Sequence, residues 1–179
     1  RAAVSNGFRA PTLGALGASS TTYVWIYPTD APAYLASTAF LPVNNPVAKL
    51  LGAKPLKPEK SVNYSLGFVA RPAKGLSFTV DAYQIDIDDG LSPIDNLTGA
   101  WLWNKLSGLG YSDVRAVRFF TNAVDYRTRG VDLSANYTTE LGADSSLSIS
   151  LAGSIVDTKV KNILPNPPEL AGSGLTLIG

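Results

Sequence analysis

Fourteen carboxylates are the side chains of this chain best suited to acid–base or metal chemistry, and their spacing bounds what chemistry they could do. Asp86, Asp88 and Asp89 precede Gly90, the alternation with which an EF-hand calcium loop begins. Such a loop closes on a bidentate Glu at its twelfth position, where this sequence has Leu97. Asp81, Asp86 or Asp132 could furnish the acid pair of a glycoside hydrolase, but nothing in the sequence holds two of them at a defined separation. The chain has no histidine and no cysteine. Ser-His-Asp triads, Cys-His dyads, disulfides and Cys/His zinc sites are therefore unavailable within it. Gly108-Leu109-Gly110 lacks the third glycine of a dinucleotide fingerprint and reads as loop punctuation. With no nucleophile, acid and base in one constellation, the expectation is a protein that is not an enzyme and carries no cofactor or metal.

Binding chemistry is better represented. Tyr23, Trp25 and Tyr27 fall in one long connecting segment, and Trp101, Trp103 and Tyr111 in another. Such residues give a large contact area with a polar handle, which suits a ligand-binding surface. They equally suit an interfacial aromatic girdle or the packing of loops on one another. Nucleic acid is excluded as a partner, because 15 Lys+Arg against 14 Asp+Glu leave a net charge of +1 and no excess cation to neutralise phosphates. A disordered chain is excluded too, since 45% of residues are hydrophobic. Ser112 ahead of residues 113–118 predicts the N-cap of a short loop helix.

The elements that must carry these residues are strands. Residues 61–71 alternate with Val62, Tyr64, Leu66, Phe68 and Ala70 on one face and Ser61, Asn63, Ser65 and Arg71 on the other. Residues 130–140 and 146–155 repeat the pattern. In the run 76–88 the apolar phase switches from Phe78, Val80 and Ala82 to Tyr83, Ile85 and Ile87, which predicts a β-bulge or an exit from an apolar layer near Ala82 and Tyr83. Short turns over residues 71–75 and 141–145 alternate with long segments over 11–58 and 88–129. That asymmetry matches an outer-membrane barrel with short turns at one end and long loops at the other. The polar rows of the clean strands carry only Arg71, Asp132 and Glu140 as charges and the apolar rows carry none. A solvent-exposed face usually carries about 25–35% charged residues. No run approaches the ~18 consecutive apolar residues of a membrane helix, and residues 1–11 lack the features of a signal peptide, so the chain reads as a fragment or a mature segment.

Five strings then carry a resemblance. Gly7-Phe8-Arg9-Ala10-Pro11-Thr12-Leu13, Leu56-Lys57-Pro58-Glu59-Lys60-Ser61, Phe78 to Ile87 with Asp81 and Tyr83, Thr121-Asn122-Ala123, and Thr128-Arg129-Gly130-Val131-Asp132-Leu133 together resemble the C-terminal barrel half of TonB-dependent outer-membrane receptors. The resemblance spans about residues 1–165. It implies an all-β fold, an antiparallel transmembrane β-barrel, here a partial barrel of five or six strands with long outer loops where the whole has about 22. In that family the first string ends a rising strand, the second starts a descending one, and the TRGVD-type string opens another. Residues 1–179 are thus expected to be a fragment of the barrel, with the plug domain and the TonB-contacting segment absent from them. The implied function is part of an active transporter in the Gram-negative outer membrane, importing a ferric siderophore or similar large nutrient. The implied partners are outer-membrane lipid and lipopolysaccharide, the remaining strands and plug, TonB through that plug, and the ferric siderophore. The haem branch shares the first string but adds a histidine and an NPNL string, where this chain has no histidine and Asn45-Pro46-Val47-Ala48. Arg9, Asp125, Arg127 and Arg129 could guide an anionic ferric chelate, or pair with one another or with lipopolysaccharide phosphates. The alternative from another class is a soluble secreted β-sandwich, a carbohydrate-binding or adhesive module with a closed core and a charged outer face.

Overall fold

The computed structural model describes residues 1–27 and 32–178. In chain order the elements are β1 (Ala2–Arg9), α1 (Leu13–Gly17), β2 (Ser20–Ile26), β3 (Tyr34–Phe40), α2 (Pro46–Leu50), β4 (Glu59–Ala73), β5 (Leu76–Pro93), β6 (Leu97–Thr98), α3 (Ala100–Ser107), β7 (Val114–Arg118), β8 (Phe120–Glu140) and β9 (Ser146–Ile163). No helix among the described residues is long and apolar enough to cross a membrane. The chain divides into two compact units, one of residues 1–8, 60–88 and 125–162, the other of residues 9–59, 89–124 and 163–179.

The first unit is a wall. Its strands belong to a five-stranded sheet in the order β1-β4-β5-β8-β9. Backbone bonds of 2.8 Å exchanged between Arg1 and Gly67 set β1 antiparallel to β4. The β4–β5 ladder runs antiparallel from Lys60 opposite Asp88 to Ala70 opposite Phe78, with its single irregularity between Ala70 and Ala73. No bulge interrupts Ala82 and Tyr83, which face Leu66 and Ser65 in unbroken register. The phase change is therefore the end of an apolar layer, because on that face Ala82 gives way to Gln84, Asp86 and Asp88. The β4–β5 turn is tight: Ala73 faces Leu76, and Gly75 sits at φ +76° with a hydrogen bond of 2.9 Å from Thr138 N–H to its carbonyl. A side chain on Gly75 would also run into the Thr138 carbonyl oxygen, 2.0 Å away.

The sheet leaves its apolar row uncovered within this unit. Leu66, Phe68 and Ile155 are 64%, 65% and 74% exposed, which no soluble sandwich core would permit. The run Leu147 to Ile155, at about 3.4 Å per residue and a tilt near 45°, rises ~20 Å, comparable with the ~25 Å apolar band of a membrane barrel. The polar row is laced by hydroxyl and carboxylate bonds, with Thr138 to Ser148 at 3.1 Å, Asp132 to Ser154 at 2.6 Å and Thr128 to Thr158 at 3.0 Å.

The second unit has its own core. Val43, Val47, Leu51, Ile94, Leu97, Leu102, Leu106, Val117 and Phe119 bury one another. Its sheet runs β2-β3-β7-β6, with β2 and β3 antiparallel, β6 and β7 antiparallel, and β3 and β7 parallel. Asn45 caps α2, its side-chain oxygen accepting from Val47 N–H at 2.8 Å with Pro46 in the first turn. That cap is the local role of the Asn45-Pro46 string.

Three sequence expectations are corrected. Residues 114–118 are strand β7 rather than a helix capped by Ser112, because pairing with β3 and β6 satisfies their backbone. The TRGVD string lies in the interior of β8, which begins at Phe120. Its first half escapes a period-of-two reading because Arg127 and Arg129 interrupt the apolar row. The segments 11–58 and 88–129 contain β2, β3, β6, β7 and three helices rather than loop alone.

Candidate ligand-binding site

Within the second unit a cavity of about 590 Å³ opens beside the β2-β3-β7-β6 sheet. Each wall comes from a different element. Val24 stands on β2, Tyr34 and Ala36 on β3, Thr98 on β6, Trp103 on α3 and Arg115 on β7. Helix α3 is anchored by Leu102 and Leu106, both fully buried, which turns Trp103 toward the cavity. The Trp103 indole N–H donates to the Ser112 carbonyl at 3.1 Å, so the ring is held in place rather than free to rotate.

Arg115 is the centre of this site. Its guanidinium lies 4.6 Å from the Trp103 ring centroid and 5.1 Å from that of Tyr34, a cation held between two aromatic rings. Its Nε is buried and has no hydrogen-bond partner among the described residues. A buried donor left without an acceptor costs about 1–3 kcal/mol. A ligand that presents an anionic or strongly accepting oxygen there would remove that penalty, and a flat ligand would extend the aromatic stack. Nearby on α3, Lys105 lies 4.6 Å over the Trp101 ring.

The six aromatic residues expected to form a binding surface do not gather in one place. Trp103 lines the cavity. Trp101 packs against the core of its unit, and Tyr111 is exposed. Tyr23 and Trp25 alternate along β2 with Val24, so they occupy the face opposite the cavity, and Trp25 lies 6.5 Å from Tyr27. Tyr34 and Arg115 were not singled out by the sequence. Arg115 was hidden because residues 113–118 read as helix; the alternation of Val114, Ala116 and Arg118 with Arg115 and Val117 holds no clean apolar phase.

Several residues of the five strings make contacts between segments distant in the chain. Glu59, at the start of β4, is buried; it accepts from Leu91 N–H at 2.7 Å and pairs with Arg9. Asn122 bridges two segments, accepting from Lys57 N–H at 2.7 Å and donating to the carbonyls of Lys57 and Asp89 at 2.9 and 2.7 Å. In the wall, Asp81 accepts from Arg1 at 2.7 Å and Arg129 donates to Gln84 at 2.8 Å. The Tyr83 ring covers Gly130 so closely that an added Cβ would meet it at 2.3 Å. Phe8 remains exposed on β1. Pro11 precedes the Thr12 cap of α1, and Pro58 precedes the first residue of β4.

Of the charges thought to guide a ligand or pair among themselves, Arg127 pairs with Asp86 at 2.7 Å, and Asp125 accepts from Asn162 at 3.4 Å. Lys161 joins the same Asp86 at 3.3 Å. Asp86 is thus occupied by cations of the protein. Among the described residues no group of three or more metal-ligating side chains occurs.

The family model described as TonB dependent receptor-like, beta-barrel matches residues 1–177. No curated protein matches the chain.

Proposed function

The chain belongs to the TonB-dependent receptor-like β-barrel family, whose members are outer-membrane barrels that serve TonB-dependent transport, and from that premise we propose that it is part of an active importer of a ferric siderophore. The first unit supplies wall strands in the Gram-negative outer membrane, and the second receives the ligand. A plug supplied by the rest of the receptor closes the lumen, and TonB acts through that plug. The observation that carries the ligand class is Arg115, a cation clamped by Tyr34 and Trp103 with its Nε unsatisfied in an open cavity. Ferric siderophores present anionic oxygen ligands around the metal and, in the catecholate class, flat rings. Both features complement this site, where the ring of Trp103 offers a stacking surface.

Titrating the purified chain in detergent with ferric citrate and with a ferric tris-catecholate, read by quenching of tryptophan fluorescence, tests the proposal. Saturable quenching is expected, weakened by about tenfold or more in Arg115→Gln, since a hydrogen bond to a charged group is lost. Affinity unchanged by that substitution would sink the assignment. Saturable binding of an uncharged oligosaccharide with neither iron chelate bound would point instead to a sugar importer.

A further inference from the structure

Two consecutive residues of β7, Arg115 and Ala116, both line the cavity of the second unit, although neighbours on a regular strand point to opposite faces. The core side shows the same anomaly, since Val114 and Val117 both pack against the hydrophobic cluster. The β3–β7 ladder accounts for both. Ser37 stands opposite Val114 and Thr38 opposite Ala116, so Arg115 is an extra residue with no counterpart on β3, a β-bulge in a parallel pair. On the other side of β7, Thr98 and Leu97 of β6 lie opposite Ala116 and Val117.

Bulges are rare in parallel ladders and concentrate beside functional sites, where they re-aim a side chain. Here the regular alternatives are unfavourable. Without the extra residue, a strand in phase with Val117 would drive the Arg115 guanidinium into the apolar core, and one in phase with Val114 would turn Val117 out of it. The bulge keeps both valines on the core and still presents a cation to the cavity, between the rings of Tyr34 and Trp103.

A bulge leaves its extra residue outside the ladder, so its geometry is fixed by neighbours. Ser37 is 1% exposed, and both its N–H, at 3.2 Å, and its hydroxyl, at 3.1 Å, donate to the Asp113 carbonyl. The chain is thereby pinned to β3 just before the bulge. The Trp103 indole holds the adjacent Ser112 carbonyl, so the ring that stacks on Arg115 and the strand that carries Arg115 share one anchor.

We propose that Ser37 is a positioning residue of the ligand site: its hydroxyl, by holding the Asp113 carbonyl, fixes the bulge that aims Arg115 into the cavity. Ser37 does not itself line the cavity and acts through Arg115. The inference rests on the reading of Arg115 as the group that meets an anionic ligand.

The Arg115 side-chain N–H resonance of the isotope-labelled full chain in micelles tests it. Between two rings that proton resonates upfield of exposed arginines through ring currents, and the spectrum of Arg115→Gln assigns it. Ser37→Ala should move the resonance toward the exposed position, and Ser37→Cys, which leaves a weak donor, should move it partway. Ser107→Ala, which removes another hydroxyl bond of the same unit, should leave it in place. Ferric citrate should bind Ser37→Ala about fivefold more weakly, the size of one ordinary hydrogen bond, with no further loss when Ser37→Ala is added to Arg115→Gln. Should Ser37→Ala fail to fold, the Cys variant carries the same readings. A resonance unmoved in the folded Ser37 variants, or an equal loss of affinity with and without Arg115, overturns the positioning role. A wild type that binds neither iron chelate, while the Ser37 variants still displace the resonance, overturns the siderophore reading and leaves the placement of Arg115 by Ser37 standing.

Discussion

Tyr83 and Gly130 face each other on neighbouring strands, and each accounts for the other. The ring lies where a Cβ on residue 130 would sit, so glycine is required by the tyrosine opposite rather than by its own backbone. Gly130→Ala should destabilise the wall by ~1–3 kcal/mol through overpacking, and adding Tyr83→Leu should restore part of it. Urea unfolding of both variants in micelles reads this coupling; equal losses with and without Tyr83 would break the pairing. Asn122 makes a sharper case. Asp at this position keeps the acceptor but removes the amide that donates to Lys57 and Asp89. Asn122→Asp should therefore lose ~1–3 kcal/mol, seen as a lower unfolding midpoint, whereas a neutral result would mean that those two bonds carry no net stability. Neither role could be read from the strings that contain these residues, because each depends on a partner far along the chain. The strings marked the right residues for a family; the contacts say what they do.

Among the elements, those built on strict alternation were legible and those built on other signals were not. Strands β4, β5, β8 and β9 were seen because one row meets a uniformly apolar environment and the other a polar one. The same logic explains where the reading stopped short. Beyond Ala82, Val131 and Ile155 the outward row becomes ionised, so both rows are polar or mixed and the strands look finished when they continue to Pro93, Phe120 and Ile163. Strands β2 and β3 are short and rich in Thr, Ser and Ala, β7 has only five residues, two of them Arg, and the pairing of β3 with β7 is a parallel ladder that no local pattern announces. Hairpin geometry offers a test. Gly75 adopts φ +76° and has no room for a side chain beside Thr138. Gly75→Val should lower stability by ~1–3 kcal/mol, and faster amide exchange at Thr138 than at Ser148 would be its local signature. Unchanged exchange at Thr138 would mean that the turn tolerates the substitution by moving away from β8.

For the molecule as a whole, the distribution of charge decides the environment. The wall exposes large aliphatic and aromatic side chains along one row, an arrangement that water disfavours at about 25 cal/mol per Å² of apolar surface and that a bilayer accepts. Toward the ends away from the short turns the same row carries Asp86 paired with Arg127 and Lys161, and Asp157 paired with Lys159, as expected where a wall leaves the hydrocarbon. A charge placed lower should not be tolerated. Leu133→Arg puts a guanidinium in mid-band and should reduce folding into micelles by ~2–4 kcal/mol, while Ser134→Arg, on the hydroxyl-rich row, should fold nearly as well as the wild type. The most direct measurement of the account is the detergent dependence of the 179-residue chain itself, followed by sedimentation and by thermal unfolding in plain buffer and in micelles. Aggregation in buffer, with β-structure and cooperative unfolding recovered only in micelles, is the predicted result. A soluble monomer that unfolds cooperatively without detergent would contradict it, because the exposed apolar row would then have to be buried against protein.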